Sequence, residues 1–229
     1  MALTGIIGAM DIEIERISEA MTDKETETVS GITFIKGKIN GNDAVCAVCG
    51  IGKVFAAICA QTMILKYSPD CIINTGVAGA ISKELSVLDT VVADHLVQHD
   101  MDTSFLGDPV GLVSGINIIK FPCDEAVSEK LCRCIEMSGG KFIRGTVASG
   151  DCFVAQPEKK AYLSETFDAA ACEMEGAAIG HVCYVNNVPC AVLRSITDGA
   201  DGGAEMDYME FRDIAAAKSA DVIIKFVSK

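Results

Sequence analysis

With 229 residues, half of them apolar, the chain is long enough to bury a sizeable α/β core. Lysine and arginine total 19 against 32 aspartates and glutamates, and the net charge of −13 repels nucleic acid phosphates and anionic lipid headgroups. Neither nucleic acid nor a membrane is therefore expected as a partner.

In chain order, short Val- and Ile-rich runs alternate with helical patterns, which predicts a mixed sheet flanked by helices in one domain over 1–229. Strands are expected near 3–8, 31–38, 43–49, 70–75, 89–98, 116–121, 142–149, 169–173 and 189–196. Helices are expected near 11–21, 53–67, 124–138, 157–165, 175–186 and 207–227. Two boundaries carry their own punctuation: Pro69-Asp70 stops a helix before Cys71-Ile72-Ile73, and Asn186-Asn187-Val188-Pro189 does the same before Cys190-Ala191-Val192-Leu193. The least regular stretch, 99–115, holds Gly107, Pro109, Gly111 and Gly115 and reads as a functional loop.

The start, Met1-Ala2-Leu3-Thr4-Gly5-Ile6-Ile7-Gly8, lacks the basic residues and long apolar run of a signal peptide. No segment has about 18 uninterrupted apolar residues, so a soluble cytoplasmic protein is expected. The 11 cysteines are an odd number scattered through apolar stretches, where a thiol acts as a small hydrophobe. Cys46 and Cys49 form a C-x-x-C on an alternating run, and residues three apart on a strand face opposite ways. His95, His99 and His181 have no zinc spacing with these thiols, so neither metal nor cofactor is expected.

Glycines follow several predicted strands, at Gly8, Gly50, Gly52, Gly76, Gly79 and Gly150, where open α/β sheets bind ligands. Gly50-Ile51-Gly52-Lys53-Val54-Phe55 has Phe55 in place of the third glycine of a dinucleotide fingerprint, and lacks the spacing of a phosphate loop. Carboxylates gather at the same strand ends: Glu13, Asp151, Glu173, Glu175 and Asp198. A carboxylate just beyond an apolar strand has limited water, which can raise its pKa toward neutrality and suit it to proton transfer.

Six segments, Gly5-Ile6-Ile7-Gly8-Ala9-Met10, Gly50-Ile51-Gly52-Lys53-Val54, Ile73-Asn74-Thr75-Gly76-Val77-Ala78-Gly79, Ser149-Gly150-Asp151, Glu173-Met174-Glu175 and Arg194-Ser195-Ile196-Thr197-Asp198, resemble the motifs of methylthioadenosine/S-adenosylhomocysteine nucleosidases. They stand in that family's order and spacing along essentially the whole chain. The resemblance implies a nucleoside phosphorylase-like fold with a barrel-like mixed sheet, a homodimer, an adenine nucleoside as substrate and water as the nucleophile. It implies Asp198 as the acid that shares a proton with adenine N7, Glu13 as the residue that activates water, and Arg194 as the holder of water and carboxylates. Glu175 would bind the ribose hydroxyls, Met174 would lie against the sugar, Phe153 would stack on adenine and the Val154 backbone would read its edge. Met10, Ile51, Val77, Thr197 and Tyr208 complete the implied substrate contacts, and Leu106 would lie near the 5' group.

Val77 stands where many family members have serine, which removes a hydroxyl that could orient water. Leu106, Asp108 and Ser114 occupy places often held by Phe, Tyr and Pro. Two rival functions remain at this level. A phosphorylase of the same fold would need several cationic donors for phosphate, and only Arg194 of the five arginines lies in a matched motif. A catalytically silent nucleoside-binding module would not need all three principal acids, Glu13, Glu175 and Asp198.

Overall fold

Runs that are apolar and β-branched on both faces become the central strands, because only a sheet covered on both sides can bury them. The computed structural model describes residues 2–200 and 204–228. The first half holds β1 (Thr4–Gly8), α1 (Asp11–Glu19), β2 (Met21–Val29), β3 (Ile32–Ile39), β4 (Asn42–Val48), α2 (Lys53–Tyr67), β5 (Cys71–Ala80) and β6 (Thr90–Gln98). The second holds β7 (Lys120–Pro122), α3 (Glu125–Glu136), β8 (Phe142–Ser149), α4 (Pro157–Phe167), β9 (Ala169–Glu173), α5 (Gly176–Asn186), β10 (Cys190–Asp198) and α6 (Ala204–Val227). Every residue of β1, β9 and β10 is buried.

The sheet is mixed and closes on itself. β5 pairs in parallel with β1 and β10 and, at its far end, antiparallel with β9 through Gly79 and Ala80. β10 continues to β6, β6 to β8, and β8 to β9, so β5, β10, β6, β8 and β9 form a ring. β1, β4, β3 and β2 extend from β5 as an open wing. The barrel-like mixed sheet expected from the resemblance is what the chain forms.

Helices cover both faces of the wing. Ile6, Ile14, Ile17, Ile73 and Phe226 pack on one side with Cys46, whereas Ile7, Phe34, Met63 and Ile179 pack on the other with Cys49. The C-x-x-C thiols thus point to opposite faces, as strand periodicity requires. Burying each such large apolar side chain contributes about 1.5–3 kcal/mol. Among the described residues no helix is long and apolar enough to cross a membrane.

The two punctuated helix ends are real. α2 stops at Ser68 and α5 at Asn187, both left-handed at φ 48° and 55°, each followed closely by proline. The wing edge differs from the expected elements. The helix expected over 11–21 ends at Glu19, and after Ala20 the nine residues Met21–Val29 form β2, a strand absent from the expected set. Its segment Thr22-Asp23-Lys24-Glu25-Thr26-Glu27-Thr28 is exposed throughout, so no buried face leaves an apolar alternation to read. The strand expected over 116–121 shrinks to three residues, Lys120–Pro122, preceded by an isolated bridge between Val113 and Ile118.

Candidate active site

Glu13 owes its position to the start of α1. The helix begins after Met10, whose side chain makes no capping hydrogen bond, and Glu13 at the third helical position reaches back instead. Its Oε2 accepts from the amides of Ala9 (2.7 Å) and Met10 (3.0 Å), and its Oε1 accepts from the Val77 amide (3.1 Å). Burial raises its pKa above the ordinary value, against the pull of the Arg194 charge and those three amides.

Arg194 lies on the wholly buried β10 and is itself 1% exposed. Its Nη2 donates to Glu173 Oε2 and Asn74 Oδ1 and lies 3.6 Å from Glu175 Oε2. Burial alone would lower its pKa, but the charges of Glu173, Glu175 and Glu13 outweigh burial and raise it. The crowding also has a backbone consequence. A Cβ at Gly76 would collide with Glu13 Oε1 and with Arg194 Nη1 (2.5 Å), so only glycine lets these two groups approach across β5.

Glu173 and Glu175 sit where β9 turns into α5. Glu173 Oε2 accepts from the amides of Glu175 (3.0 Å) and Gly176 (2.8 Å), and its Oε1 accepts from the Ser149 hydroxyl. That hydroxyl oxygen accepts in turn from the Ala177 amide (2.7 Å), so the first amides of α5 are satisfied by these side chains. Glu175 Oε1 accepts from the Gly52 amide (2.9 Å) at the start of α2, where Gly52 takes a φ of +99°. Burial first, then the neighbouring Glu173 charge, lift Glu175 to about 7.

Asp198 closes β10. The pairing with β5 shifts register between Ile196 and Asp198, a bulge of the kind that re-aims side chains, and both Thr197 and Asp198 face the cleft. Asp198 Oδ1 accepts from the Thr197 hydroxyl (3.0 Å) and Oδ2 from Lys160 Nζ (3.1 Å). Burial raises its pKa, and the Lys160 charge opposes that rise.

These groups converge on one cleft. Met10, Glu13, Ile51, Val77, Phe153, Val154, Met174, Glu175, Arg194, Thr197, Asp198 and Tyr208 all line it. Phe153 and Tyr208 meet edge to face with ring centroids 5.6 Å apart, and the Tyr208 hydroxyl contacts Met10 Sδ at 3.4 Å. Leu106 is the exception. It lies in a single 3-10 turn, Ser104–Leu106, is 80% exposed, and is not brought to the cleft within one chain.

Two further features are not expected from sequence: the pairing of Glu173 with Arg194, and the presence of Lys160 beside Asp198. Glu173 was visible as one of two acids in Glu173-Met174-Glu175, but nothing local distinguishes the partner of Arg194. Lys160 left a signal in the apolar stripe of α4, whose buried residues are Lys160, Leu163 and Phe167. A lysine on that stripe needs a partner.

Residues 4–228 match the phosphorylase superfamily. A 5'-methylthioadenosine/S-adenosylhomocysteine nucleosidase of Haemophilus influenzae is 37% identical over 226 residues, covering 98% of this chain and 98% of its own. A nucleosidase of the same description from Neisseria meningitidis, solved in complex with methylthio-immucillin-A, has a TM-score of 0.95 at 33% identity, covering 100% of this chain and 99% of that one. The futalosine hydrolase of Helicobacter pylori has a TM-score of 0.94 at 36% identity, covering 99% of this chain and 97% of that one.

Proposed function

This chain belongs to the 5'-methylthioadenosine/S-adenosylhomocysteine nucleosidases of the phosphorylase superfamily, and from that premise we propose that it hydrolyses the N-glycosidic bond of both nucleosides. The products are adenine and the 5-thioribose, which places the reaction in methionine salvage and in removal of the methyl-cycle by-product. The observation that carries this reading is the convergence of Glu13 and Asp198 on one cleft, with Arg194 and Glu175 also lining it.

Cleavage leaves the bond pair on the base and positive charge on the sugar, so the enzyme must protonate the first and stabilise the second. Asp198, its pKa raised by burial, is the acid for adenine N7. Glu13 takes a proton from water. Its three amide partners fix the carboxylate without neutralising it. Glu175 binds the ribose hydroxyls, and Met174 packs on the sugar. Phe153 stacks on adenine, the Val154 backbone reads its edge, and Ile51, Thr197, Tyr208, Val77 and Met10 complete the walls. Proton transfer of this kind contributes about 10²–10⁴-fold, and positioning and preorganised charge supply the rest.

Water is favoured over phosphate as nucleophile because, among the described residues, Arg194 is the one cation lining the cleft and it is already engaged by Glu173 and Asn74. Chromatographic detection of adenine from 5'-methylthioadenosine in phosphate-free buffer tests the assignment. Release that requires phosphate identifies a phosphorylase, and binding without release over hours identifies a silent binding module. The likeness to a futalosine hydrolase supports adding aminodeoxyfutalosine to the same assay.

The working form is a homodimer in the cytoplasm. Phe105 and Leu106 are exposed on the 99–115 loop, and Val54, Phe55 and Ile58 are exposed on α2, an apolar surface suited to a second subunit. Lys53 Nζ, bonded to Asp100 Oδ1 at 2.6 Å, ties α2 to that loop. Burial there would bring Leu106 to the 5' group of the neighbouring site. All 11 cysteines are free thiols, which supports a reducing compartment.

A further inference from the structure

Lys160 is 4% exposed in the first part of α4, near the positive end of the helix dipole and on the stripe that otherwise buries Leu163 and Phe167. Neither the dipole nor the apolar surroundings favour an ammonium there. Its Nζ donates to Asp198 Oδ2 at 3.1 Å and to the Gly199 carbonyl at 2.7 Å. Departures of this kind from local preference gather at functional sites, where another interaction compensates them.

We propose that Lys160 is a positioning residue for the glycosidic cleavage, holding Asp198 at the end of β10 and stabilising the carboxylate that Asp198 becomes when it protonates the leaving base. The inference rests on the reading of Asp198 as the acid. A buried carboxyl with no cation beside it keeps its proton too tightly to be a good donor to a purine nitrogen, and the ammonium corrects this.

The proton balance is simple. As the C1'–N9 bond breaks, its electron pair goes to the base and the Asp198 proton goes to N7, leaving a carboxylate paired with the Lys160 ammonium. Water adds to C1' and loses a proton to Glu13. Glu13 returns that proton to solvent and Asp198 takes one from solvent after the products leave, so Lys160 keeps its protons throughout.

The other groups that act on Asp198 do not substitute for this charge. Cys172 on β9 is a thiol pushed up to about 12 by burial, and Asp207 on α6 raises the proton affinity of Asp198. Thr197 contributes a neutral hydroxyl. Lys160 also stands six residues beyond Val154, so α4 links the segment assigned to adenine with the acid assigned to its N7.

The test compares the wild type with Lys160→Gln, Lys160→Arg and Asp198→Asn on 5'-methylthioadenosine across pH. Gln keeps a donor but loses the charge. It should lower kcat by about 10-fold or more while KM stays within about 3-fold. The basic limb of the pH profile should move up by about one unit, because Asp198 without the cation binds its proton more tightly. Arg should restore the limb and recover much of kcat. An unmoved limb, or Gln and Arg variants equally impaired, overturns the proposal and leaves Lys160 a structural residue. Should Asp198→Asn retain turnover, the assignment of the acid fails first, and the two failures are thereby told apart.

Discussion

The Val77 amide donates to Glu13 Oε1 at 3.1 Å, so position 77 holds the buried Glu13 carboxylate, the group we propose activates water, through its backbone and not through its side chain. The loss of a serine hydroxyl here therefore leaves the hold on Glu13 intact. Glu13→Gln keeps the size of the side chain but loses its basicity, and should lower turnover by about 10²-fold while still binding an adenine nucleoside analogue. Calorimetric titration of the analogue separates the roles: a variant that no longer binds makes Glu13 a binding or structural residue.

Asp198→Asn should fold and bind adenine but turn over about 10²-fold or more slowly, because an amide supplies no acidic proton. Steady-state adenine release by the purified variant is the check. Near-normal turnover removes Asp198 from the role of acid.

Arg194→Ala leaves Glu173 and Glu175 buried without their cation. Breaking a buried pair from one side costs about 3–5 kcal/mol, so thermal stability should drop visibly. Turnover should suffer more than adenine binding on the proposed role, in which the guanidinium, bonded to Glu173 and Asn74, holds the carboxylates and the water. Equal losses in kcat and in adenine affinity would instead make Arg194 a ligand anchor.

Glu175 links stability to pH. Its folded-state value of about 7 stands above an ordinary 4.5, so between these values the folded protein keeps a proton that the unfolded chain has released. The stabilisation is complete below the lower value and is lost as pH rises through the upper one. The melting temperature of the ligand-free protein should therefore fall from about pH 5 to about pH 8, and Glu175→Gln should flatten that slope. Parallel slopes for variant and wild type would count against the assignment.

Leu106→Asp should weaken dimerisation or raise KM for thioether substrates, with less effect on a substrate carrying a small 5' group. Sedimentation and paired kinetics decide between these roles. An intact dimer with equal KM changes on both substrates shows that Leu106 serves neither. Within one chain the loop is partly self-buried, since Met101, Val110 and Val113 pack on core clusters, while Phe105 and Leu106 at its tip are exposed.

The central strands and both punctuated helix ends were legible in sequence, because a strand buried on two faces and a helix stop are written in neighbouring residues, whereas most of the cleft lining was implied only by the resemblance of the motifs to a known family. The motifs also marked the β1–α1 and β9–α5 junctions that carry Glu13 and Glu175, and the strand β10 that carries Arg194 and Asp198. β2 was illegible for the same physical reason, since an edge strand with no buried face has no apolar period. Tertiary structure alone decided which of these groups touch. Glu13 meets the Val77 amide 64 residues away, Lys160 meets Asp198 across 38, and Gly52 donates to Glu175 across 123. Such pairings are set by the closure of the sheet, which brings the ends of β1, β5, β9 and β10 to one place. Short-range pattern can mark a lysine as out of place on α4, but only the closed barrel supplies the carboxylate that keeps it there.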